Sequence, residues 1–113
     1  MLDPVAGHLE RYMNLLSTRQ KLAASNIANI DTPGYKAKDI DFDFEYMSQL
    51  EGGSAHVVET PGLQVKNDGN NVNLDREARM LAENAMRFNA AASLLRSQLR
   101  MTRMAIEEGK SGS

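Results

Sequence analysis

The stretch from Ser25 to Phe44, SNIANIDTPGYKAKDIDFDF, changes its pattern three times within one short run. It begins with the apolar spacing of a helix end, breaks at Thr32-Pro33-Gly34, and continues as an alternation of acidic residues with Ile and Phe. Because a residue before proline avoids helical backbone angles, the first helix must end by about Asp31. Pro33 and Gly34 then suit the central positions of a type II turn, in which the second residue has a positive φ.

Upstream of this break, apolar residues recur at alternating steps of four and three, the period of a supercoiled helix seam. The pattern predicts a helix from about Val5 to Asn29. Asp3-Pro4 is a suitable start, because proline is tolerated in the first helical turn. The seam positions are Leu9, Met13, Leu16, Gln20, Ala23, Ile27 and Ile30.

The same stepping runs through a longer C-terminal stretch and predicts a helix of roughly 33 residues, with Asn73 as its N-cap and Gly109 as its end. Its seam comprises Leu74, Ala78, Leu81, Ala85, Phe88, Ala92, Leu95, Leu99, Thr102 and Ile106. A second stripe, about 100° around the helix, comprises Met80, Ala91, Leu94, Met101 and Ala105. An apolar face of this width is more than one partner helix can cover. Either the segment between the helices or neighbouring subunits must therefore cover the rest.

Between the helices the period changes to two. Acidic residues alternate with apolar ones from Asp39 to Tyr46, which predicts a half-buried strand, with a short acidic helix from about Asp43 as the alternative. Two further β-prone runs, 56–59 and 63–66, flank a Thr-Pro-Gly turn, and Asp68-Gly69 offers another turn.

The predicted fold is mostly α: an elongated pair of N- and C-terminal coiled-coil-like helices with a short β-rich or irregular insert. Its parts are an N-terminal helix (1–31), the turn, acidic strand and insert (32–72), a C-terminal helix (73–108) and a flexible tail (109–113). The chain has 113 residues, of which 42% are hydrophobic and 5% aromatic, so the core is modest.

Composition argues against several classes of partner. The formal net charge of −2 gives no basic field for nucleic acid. No run approaches the roughly 18–20 apolar residues of a membrane span. The first residues lack the pattern of a cleaved secretory signal, and the absence of cysteine excludes disulfides and thiolate zinc sites.

The sequence carries no pattern of a catalytic, cofactor-binding or metal-binding site. Asp39, Asp41 and Asp43 have the opening spacing of a calcium loop, but Phe44 and Leu50 occupy the positions that need glycine and glutamate. His8 and His56 lie far apart and are expected at the surface. No phosphate-binding loop, nucleophile elbow or triad is present, so no enzyme is expected.

Arg96, Arg100 and Arg103 form a basic stripe late in the second helix. A stripe of this kind is ordinarily a solvated face. The alternative hypothesis is that it meets the acidic edge of a neighbouring subunit and fixes register rather than affinity. That edge comprises Asp39, Asp41, Asp43 and Glu45.

Two separate blocks resemble the bacterial flagellar rod and hook family. The run from Ser25 to Phe42 is similar to its signature, and the part after Tyr35-Lys36 resembles its proximal-rod members. Asp68–Asp75 with Ala82–Phe88 is similar to the stretch that opens the family's C-terminal helix. Asn73 stands where the family more often has Asp, and Phe88 where it often has Tyr. The motif and turn residues are Ser25, Asn26, Ala28, Asn29, Asp31, Thr32, Pro33, Gly34, Tyr35 and Lys36.

The resemblance implies a structural subunit of the proximal rod that is exported unfolded by the flagellar type III apparatus, without a cleaved signal, and assembles in the periplasm. Implied partners are other rod subunits, the basal-body adaptor at the MS ring and copies of the chain itself. The residues expected to form the helix seam and the assembly surface are Leu9, Met13, Leu16, Ala23, Ile27, Leu81, Ala85, Phe88, Ala92, Leu95 and Leu99. An alternative of another class is a soluble helical-hairpin adaptor that binds one partner helix through a methionine-rich face.

Overall fold

The computed structural model describes residues 4–48 and 55–111. In chain order these ranges contain α1 (Pro4–Ala28), β1 (Lys38–Ile40), α2 (Phe42–Ser48), β2 (Val57–Glu59) and α3 (Leu74–Ser111). The radius of gyration is 18.8 Å, against about 13 Å for a compact chain of this length. The predicted fold class is confirmed: the protein is mostly α and elongated, with a small two-stranded sheet between its long terminal helices.

The two long helices run antiparallel and form the frame of the molecule. Asn26 in the last turn of α1 bonds Glu77 in the first turn of α3, and Met13 further up α1 lies beside Leu95 further down α3. On its other side α1 contacts β1 and α2. The most deeply buried large apolar side chains, Leu15 and Leu16, are therefore both on α1.

Local signals set the start of each long helix. Pro4 is the first described residue of α1. Asn73 is the N-cap of α3, because its Oδ1 accepts the backbone N–H of Arg76 at 3.0 Å and its carbonyl accepts that of Glu77 at 3.0 Å.

The predicted end of the second helix at Gly109 is wrong, because α3 continues to Ser111. A glycine ends a helix by adopting a positive φ, and Gly109 does not do so. Inside a helix a glycine costs only about 1 kcal/mol, which the neighbouring turns can offset. Residues 112 and 113 of the predicted flexible tail lie outside the described residues.

The described part of the insert contains a short two-stranded antiparallel sheet, and α2 lies in the connection between its strands. Lys38 pairs with Glu59, Asp39 with Val58 and Ile40 with Val57. Of the two β-prone runs predicted after the acidic stretch, only the first contributes a strand. The second, residues 63–66, has no regular structure, so that prediction was wrong.

The predicted acidic strand ends at Ile40, and the alternative, an acidic helix, is the structure that forms. Asp41 caps α2, accepting the N–H of Phe44 at its side chain (3.3 Å) and that of Glu45 at its carbonyl (2.9 Å). Phe42 and Tyr46, four residues apart, lie on one helix face. Both contact the Tyr12 ring edge to face, at centroid distances of 5.5 and 6.0 Å.

A helix and a strand predict different losses of stability when the aromatic rings of this segment, Phe42 and Phe44, are removed one at a time. Phe42→Ala should lower the free energy of unfolding by roughly 2–3 kcal/mol, somewhat less than for a fully buried ring. Phe44→Ala should change it by less than about 0.5 kcal/mol, because that ring is 57% exposed. Urea denaturation followed by circular dichroism measures both. Equal losses would support a strand, in which the two rings share a face.

Candidate functional site

The motif that follows α1 is a tight turn with the predicted geometry. The N–H of Tyr35 donates to the carbonyl of Thr32 at 3.2 Å, and Gly34 has a φ of +75°. This is a type II turn with Pro33 and Gly34 at its centre. It reverses the chain directly after α1 and leads it back toward β1.

A second turn, at Asp68-Gly69, docks against the first. Gly34 donates its N–H to the carbonyl of Asp68 at 2.9 Å, and Lys36 donates through Nζ to the carbonyl of Gly69. Gly69 has a φ of +86°, and a Cβ there would lie 3.2 Å from the Cα of Gly34. The two turns therefore approach so closely that a Cβ at position 69 would make an unusually tight contact with the backbone of Gly34.

Two consecutive asparagines fasten the second turn to the motif. Asn70 is fully buried and donates through Nδ2 to the carbonyls of Asn29 and Thr32, each at 2.8 Å. These carbonyls lie just beyond the end of α1, where the helix no longer satisfies them. Asn71 accepts the N–H of Ala37 at its Oδ1 (2.6 Å). The chain that enters α3 is thus held to the loop that leaves α1.

Asn26 joins three elements through one buried side chain. Its Nδ2 donates to the carbonyl of Lys38 and to Oε1 of Glu77, both at 2.9 Å. Its Oδ1 accepts the N–H of Lys38 at 3.0 Å and the hydroxyl of Tyr35 at 3.2 Å. With 0% of its surface exposed and its bonds made, this amide fixes α1, β1 and α3 relative to one another.

Next to Asn26 lies a chain of four charged residues. Asp39 is clamped by Arg19 from α1, with bonds of 2.9 and 3.0 Å, and by Arg76 from α3 at 2.8 Å. Arg76 also bonds Glu77 at 2.7 Å. Burial by itself would raise the pKa of Asp39, but the bonds from Arg19, the Ile40 N–H and Arg76 outweigh it, so this pKa lies below its ordinary value of 3.8.

The pKa of Arg76 is shifted in the complementary direction. Burial would lower it, but the bonds to Asp39 and Glu77 outweigh this effect, so the guanidinium holds its proton more firmly than a free arginine. Arg19, Asp39, Arg76 and Glu77 thus form one continuous chain of ion pairs. They tie β1 to both long helices.

Sequence reasoning found Asn26 and the turn but missed most of this polar cluster. It did not predict the contacts of Arg19, Asn70, Asn71 and Glu77. Asn70 and Asn71 belong to the second block of family resemblance, so their position in that block was the available signal. Glu77 is buried between α1 and α3, where a search for apolar periodicity passes over it.

The line of contact between α1 and α3 lies between the predicted seam and the second stripe of the C-terminal helix, and it includes Ala91 of that stripe. Its most buried positions are Glu77, Asn84 and Ala91, spaced by seven residues. Leu81, Ala92 and Leu95 are half-buried beside this line, whereas Phe88 is 37% exposed. Leu74, Ala78, Ala85 and Leu99 of the predicted seam are exposed. Two of the buried positions are polar, which is why the apolar pattern predicted the wrong line.

On α1 the predicted seam lies closer to the observed contact. Leu16 and Ala23 are buried, whereas Leu9, Met13 and Ile27 are half-buried. Gln20 Oε1 on α1 and Asn84 Nδ2 on α3 are buried without a hydrogen-bond partner in the described residues. An unpaired buried amide atom costs roughly 1–3 kcal/mol, so the helix pair is not optimised as an isolated unit.

An open groove runs between α1 and α3 on the side away from the insert. One part, of about 480 Å³, is lined by residues that include Leu16, Ala24, Ala85 and Phe88. A second part, of about 260 Å³, continues from Phe88 toward Leu95. From Leu94 onward, α3 exposes several large apolar side chains: Leu94, Leu99, Met101, Met104 and Ile106.

The residues of the predicted inter-subunit charge contact are separated by the fold. Asp39 lies inside the chain with its two arginines, so it is not part of an exposed edge. Glu45 is also buried, where it accepts the N–H of His56 at 2.7 Å. Asp41 and Asp43 are exposed, as are the arginines of the stripe: Arg96, Arg100 and Arg103.

The arrangement is one of structural contacts. Among residues 4–48 and 55–111, no group of three or more acidic or histidine side chains could hold a metal ion. The helices in those ranges are also not apolar enough over a sufficient length to cross a bilayer. The two docked turns, Asn26 and the charged chain from Arg19 to Glu77 together form a rigid polar elbow. Such an elbow, joined to long helices with exposed apolar faces, is the architecture of a structural subunit that is completed by assembly with others.

Comparison with known proteins identifies the assembly. A family model described as "Flagella basal body rod protein" matches residues 9–36. The chain is 32% identical to "Flagellar basal body rod protein FlgB" of Salmonella typhimurium, over 88% of this chain and 90% of that protein. It is 31% identical to the protein of that name from Yersinia enterocolitica, over 96% of this chain and 100% of the relative.

The protein of that name from Escherichia coli is 29% identical, over 96% of each chain. The chain therefore belongs to the FlgB family of flagellar basal body rod proteins. It is a structural subunit of the flagellar basal-body rod. The predicted family and function are confirmed.

The close approach of the two turns predicts opposite effects of two glycine substitutions. Gly69→Ala should lower the free energy of unfolding by more than about 1–2 kcal/mol, because the positive φ is strained for alanine and the new methyl meets Gly34. Gly7 lies inside α1 with open space around it, so Gly7→Ala should raise the free energy of unfolding by about 0.5–1 kcal/mol. Urea denaturation of both variants tests this, and a neutral Gly69→Ala would contradict the docking of the turns.

The clamped carboxylate predicts a dependence of stability on pH. Since the folded pKa of Asp39 is lowered, its contribution is fully present above pH 3.8 and is lost as the pH falls through the folded pKa. Asp39→Asn should lower the free energy of unfolding at pH 7 by roughly 1.5–3 kcal/mol. The difference in the free energy of unfolding between Asp39→Asn and the parent protein should shrink below pH 3.8.

Urea titrations between pH 2.5 and 7 would measure this dependence. Asp31→Asn is the matched control, because Asp31 is exposed. A constant difference between Asp39→Asn and the parent protein over the whole pH range would show that the carboxylate charge does not stabilise the fold.

Proposed function

We propose that this rod protein is a subunit of the proximal, membrane-nearest part of the rod, where its paired terminal helices assemble into the torque-transmitting helical core. The observation that carries the proposal is the exposure of α3. Along this helix α1 covers one line, and Leu94, Leu99 and Met101 remain between 50% and 61% exposed. Apolar surface of this extent is typical of an assembly interface.

The motif has a distinct role in this proposal. Residues Ser25 to Lys36 hold the insert at a fixed angle to the helix pair, because the polar contacts of Asn26 and Asn70 leave the elbow little freedom. A subunit that transmits torque needs such a rigid junction. The half-buried and exposed seam residues, among them Met13, Phe88 and Leu99, then contact neighbouring subunits.

The proposed partners are other rod subunits, copies of the chain itself and the basal-body adaptor at the MS ring. The chain reaches the periplasm unfolded through the flagellar type III export apparatus, without a cleaved signal peptide. Within the described residues the fully buried apolar side chains larger than valine are only Leu15, Leu16 and Ile40, and a small core of this kind suits export in the unfolded state. Nucleic acid, direct insertion into the membrane and catalysis have no part in the proposal.

The exposed charges supply register between neighbours. Arg100 and Arg103 lie on the outside of α3, and Asp41 and Asp43 lie at the start of α2. Pairs between such exposed groups contribute little affinity but disfavour a wrong alignment.

Purified basal bodies test the proposed place in the rod. In cells that carry a tagged copy as their only source of this chain, the tag should co-purify with basal bodies in several copies. Electron microscopy with a tag-specific label should locate it in the rod segment next to the membrane. A tag found only in a soluble one-to-one complex, or only in the distal rod, would contradict the proposal.

A tagged chain with Arg100→Glu tests the charge contribution separately, since its incorporation should fall without loss of the monomer's helix content.

A further inference from the structure

The hydrogen-bond pattern of the small sheet shows which backbone groups point into it and which point out. Thr60, just after β2, donates its N–H to the carbonyl of Ala37 at 2.8 Å. Hydrogen-bonded pairs recur at every second residue of an antiparallel ladder, so Asp39 and Val58 form the next one. The residues on either side of that pair direct their backbone groups away from the partner strand.

On β1 these outward groups are bonded by side chains of the same chain. Asn26 accepts the N–H of Lys38 at 3.0 Å and donates to the Lys38 carbonyl at 2.9 Å. The N–H of Ile40 donates to Oδ1 of Asp39 at 2.7 Å. The outer edge of β1 is therefore already occupied.

The outer edge of β2 has no such cover in the part of the chain that the structure describes. Its outward groups are the N–H and carbonyl of Val57 and of Glu59, and among residues 4–48 and 55–111 none of the four forms a hydrogen bond. Val57 and Val58 are 49% and 45% exposed, and Glu59 is also exposed. These four groups, with the side chains beside them, are the free edge of β2.

A free strand edge accepts one kind of partner. Outward N–H and carbonyl groups at every second residue match the backbone of an extended segment, which then becomes a further strand of the sheet. A helix bonds its own backbone groups internally, so it offers no such match. The exposed valines favour β-branched or other apolar side chains next to them.

Glu59 adds a charge requirement to this edge. It lies directly across from Lys38 in the sheet, but the Nζ of Lys38 lies over the Tyr35 ring instead, 4.6 Å from its centroid. Glu59 forms no salt bridge with any residue that the structure describes. On an added strand, a basic side chain opposite Glu59 is therefore favoured and an acidic one is disfavoured.

A second copy of the chain does not offer a matching segment. Its β1 is bonded at the outer edge by Asn26, and its β2 contains no basic residue. The irregular stretch 63–66 has one basic residue, and that residue is engaged. Lys66 bonds the carbonyl of Asn70 through its N–H at 2.8 Å and that of Ile30 through Nζ at 3.3 Å. The matching segment therefore belongs to a different protein.

We propose that an extended segment of a different rod subunit adds to the free edge of β2, bonding the backbone of Val57 and Glu59 and placing a lysine or arginine opposite Glu59. This inference rests on the proposed assembly with other subunits and adds a contact that the helix faces do not provide. A shift by one residue would turn every side chain of the added strand to the other face, so the contact fixes register. Because Asn26 and Asp39 tie β1 to the long helices, the added strand is joined to the frame of the molecule.

Hydrogen exchange of the purified protein, followed by NMR, tests whether the edge is free. The N–H groups of Val57 and Glu59 should exchange within about tenfold of the rate of an unstructured peptide, whereas that of Val58 should be protected. Protection of all three to the same degree would show that the chain covers this edge itself, and it would overturn the proposal.

A pair of substitutions tests whether the backbone of the edge is needed in the rod. Val57→Pro removes an outward N–H but no bond between β1 and β2, a position at which a strand tolerates proline. Val57→Thr is the matched control, because it keeps the N–H and the β-branched shape. With each tagged variant as the only source of the chain, basal bodies should contain several-fold fewer copies of Val57→Pro than of Val57→Thr. Equal incorporation of the two would contradict the added strand.

Charge substitutions keep the test decisive if Val57→Pro destabilises the purified protein. Glu59→Lys leaves the backbone unchanged and should reduce incorporation several-fold, whereas Glu59→Gln should reduce it less. If both are incorporated like the parent protein, no basic side chain lies opposite Glu59 and the proposal fails. Absence of the parent itself from basal bodies would instead reject the proposed function.

Photo-cross-linking in purified basal bodies identifies the occupant. With p-benzoylphenylalanine in place of Val57, mass spectrometry should find a cross-link to a different rod protein, within two residues of a lysine or arginine. A cross-link to another copy of this chain, to its own residues 49–54, or to a segment without a basic residue would overturn the proposal. Each of those results leaves the proposed function standing.

Discussion

The buried side chain of Asn26 is the contact on which the arrangement of the whole molecule depends. An amide has donors and an acceptor on one rigid group, so it can satisfy several partners only if they are all held in one geometry. Here the partners come from β1, from the motif loop and from the first turn of α3. Any rotation of the helix pair against the insert would leave at least one of these buried groups unpaired, which disfavours the rotated state. The charged chain from Arg19 to Glu77 fixes the same junction a second time.

The molecule therefore has two regions with different physical characters. At the elbow, polar groups are buried and paired, and two glycine turns pack backbone against backbone. Along the helices away from the elbow, the contact line contains small or polar residues, and large apolar side chains lie at the surface. A junction held by directional bonds keeps its shape under load. Apolar helix faces, in contrast, gain free energy from any well-fitting neighbour. A rod subunit needs both properties, since it must be rigid in itself and must also bind other subunits.

The features that were predicted correctly are those that depend on neighbouring residues. Both long helices have a strong apolar period, and the type II turn follows from the fixed φ of Pro33 and the freedom of Gly34. The acidic segment was assigned to a strand because acidic and apolar residues alternate along it, but Phe42 and Tyr46 lie four residues apart, a spacing that also fits a helix. Only the position of Tyr12 against both rings favours the helix. The contact line predicted for α3 differs from the observed one for a related reason. Glu77 and Asn84 are buried in the observed line, and they carry no apolar signal.

The sequence by itself determined the long helices, the position of the break between them, and an excess of apolar surface over what one chain can bury. These follow from local backbone restrictions and from periodicity within each helix. The tertiary structure decided which side of each helix is covered, and it decided that Asp39 is clamped inside the subunit. Such choices depend on hydrogen bonds between residues far apart in the chain, for example from Asn26 to Glu77 across 51 positions. A bond of this kind leaves no periodic trace in the sequence, because its energy depends on geometry that only the folded chain provides.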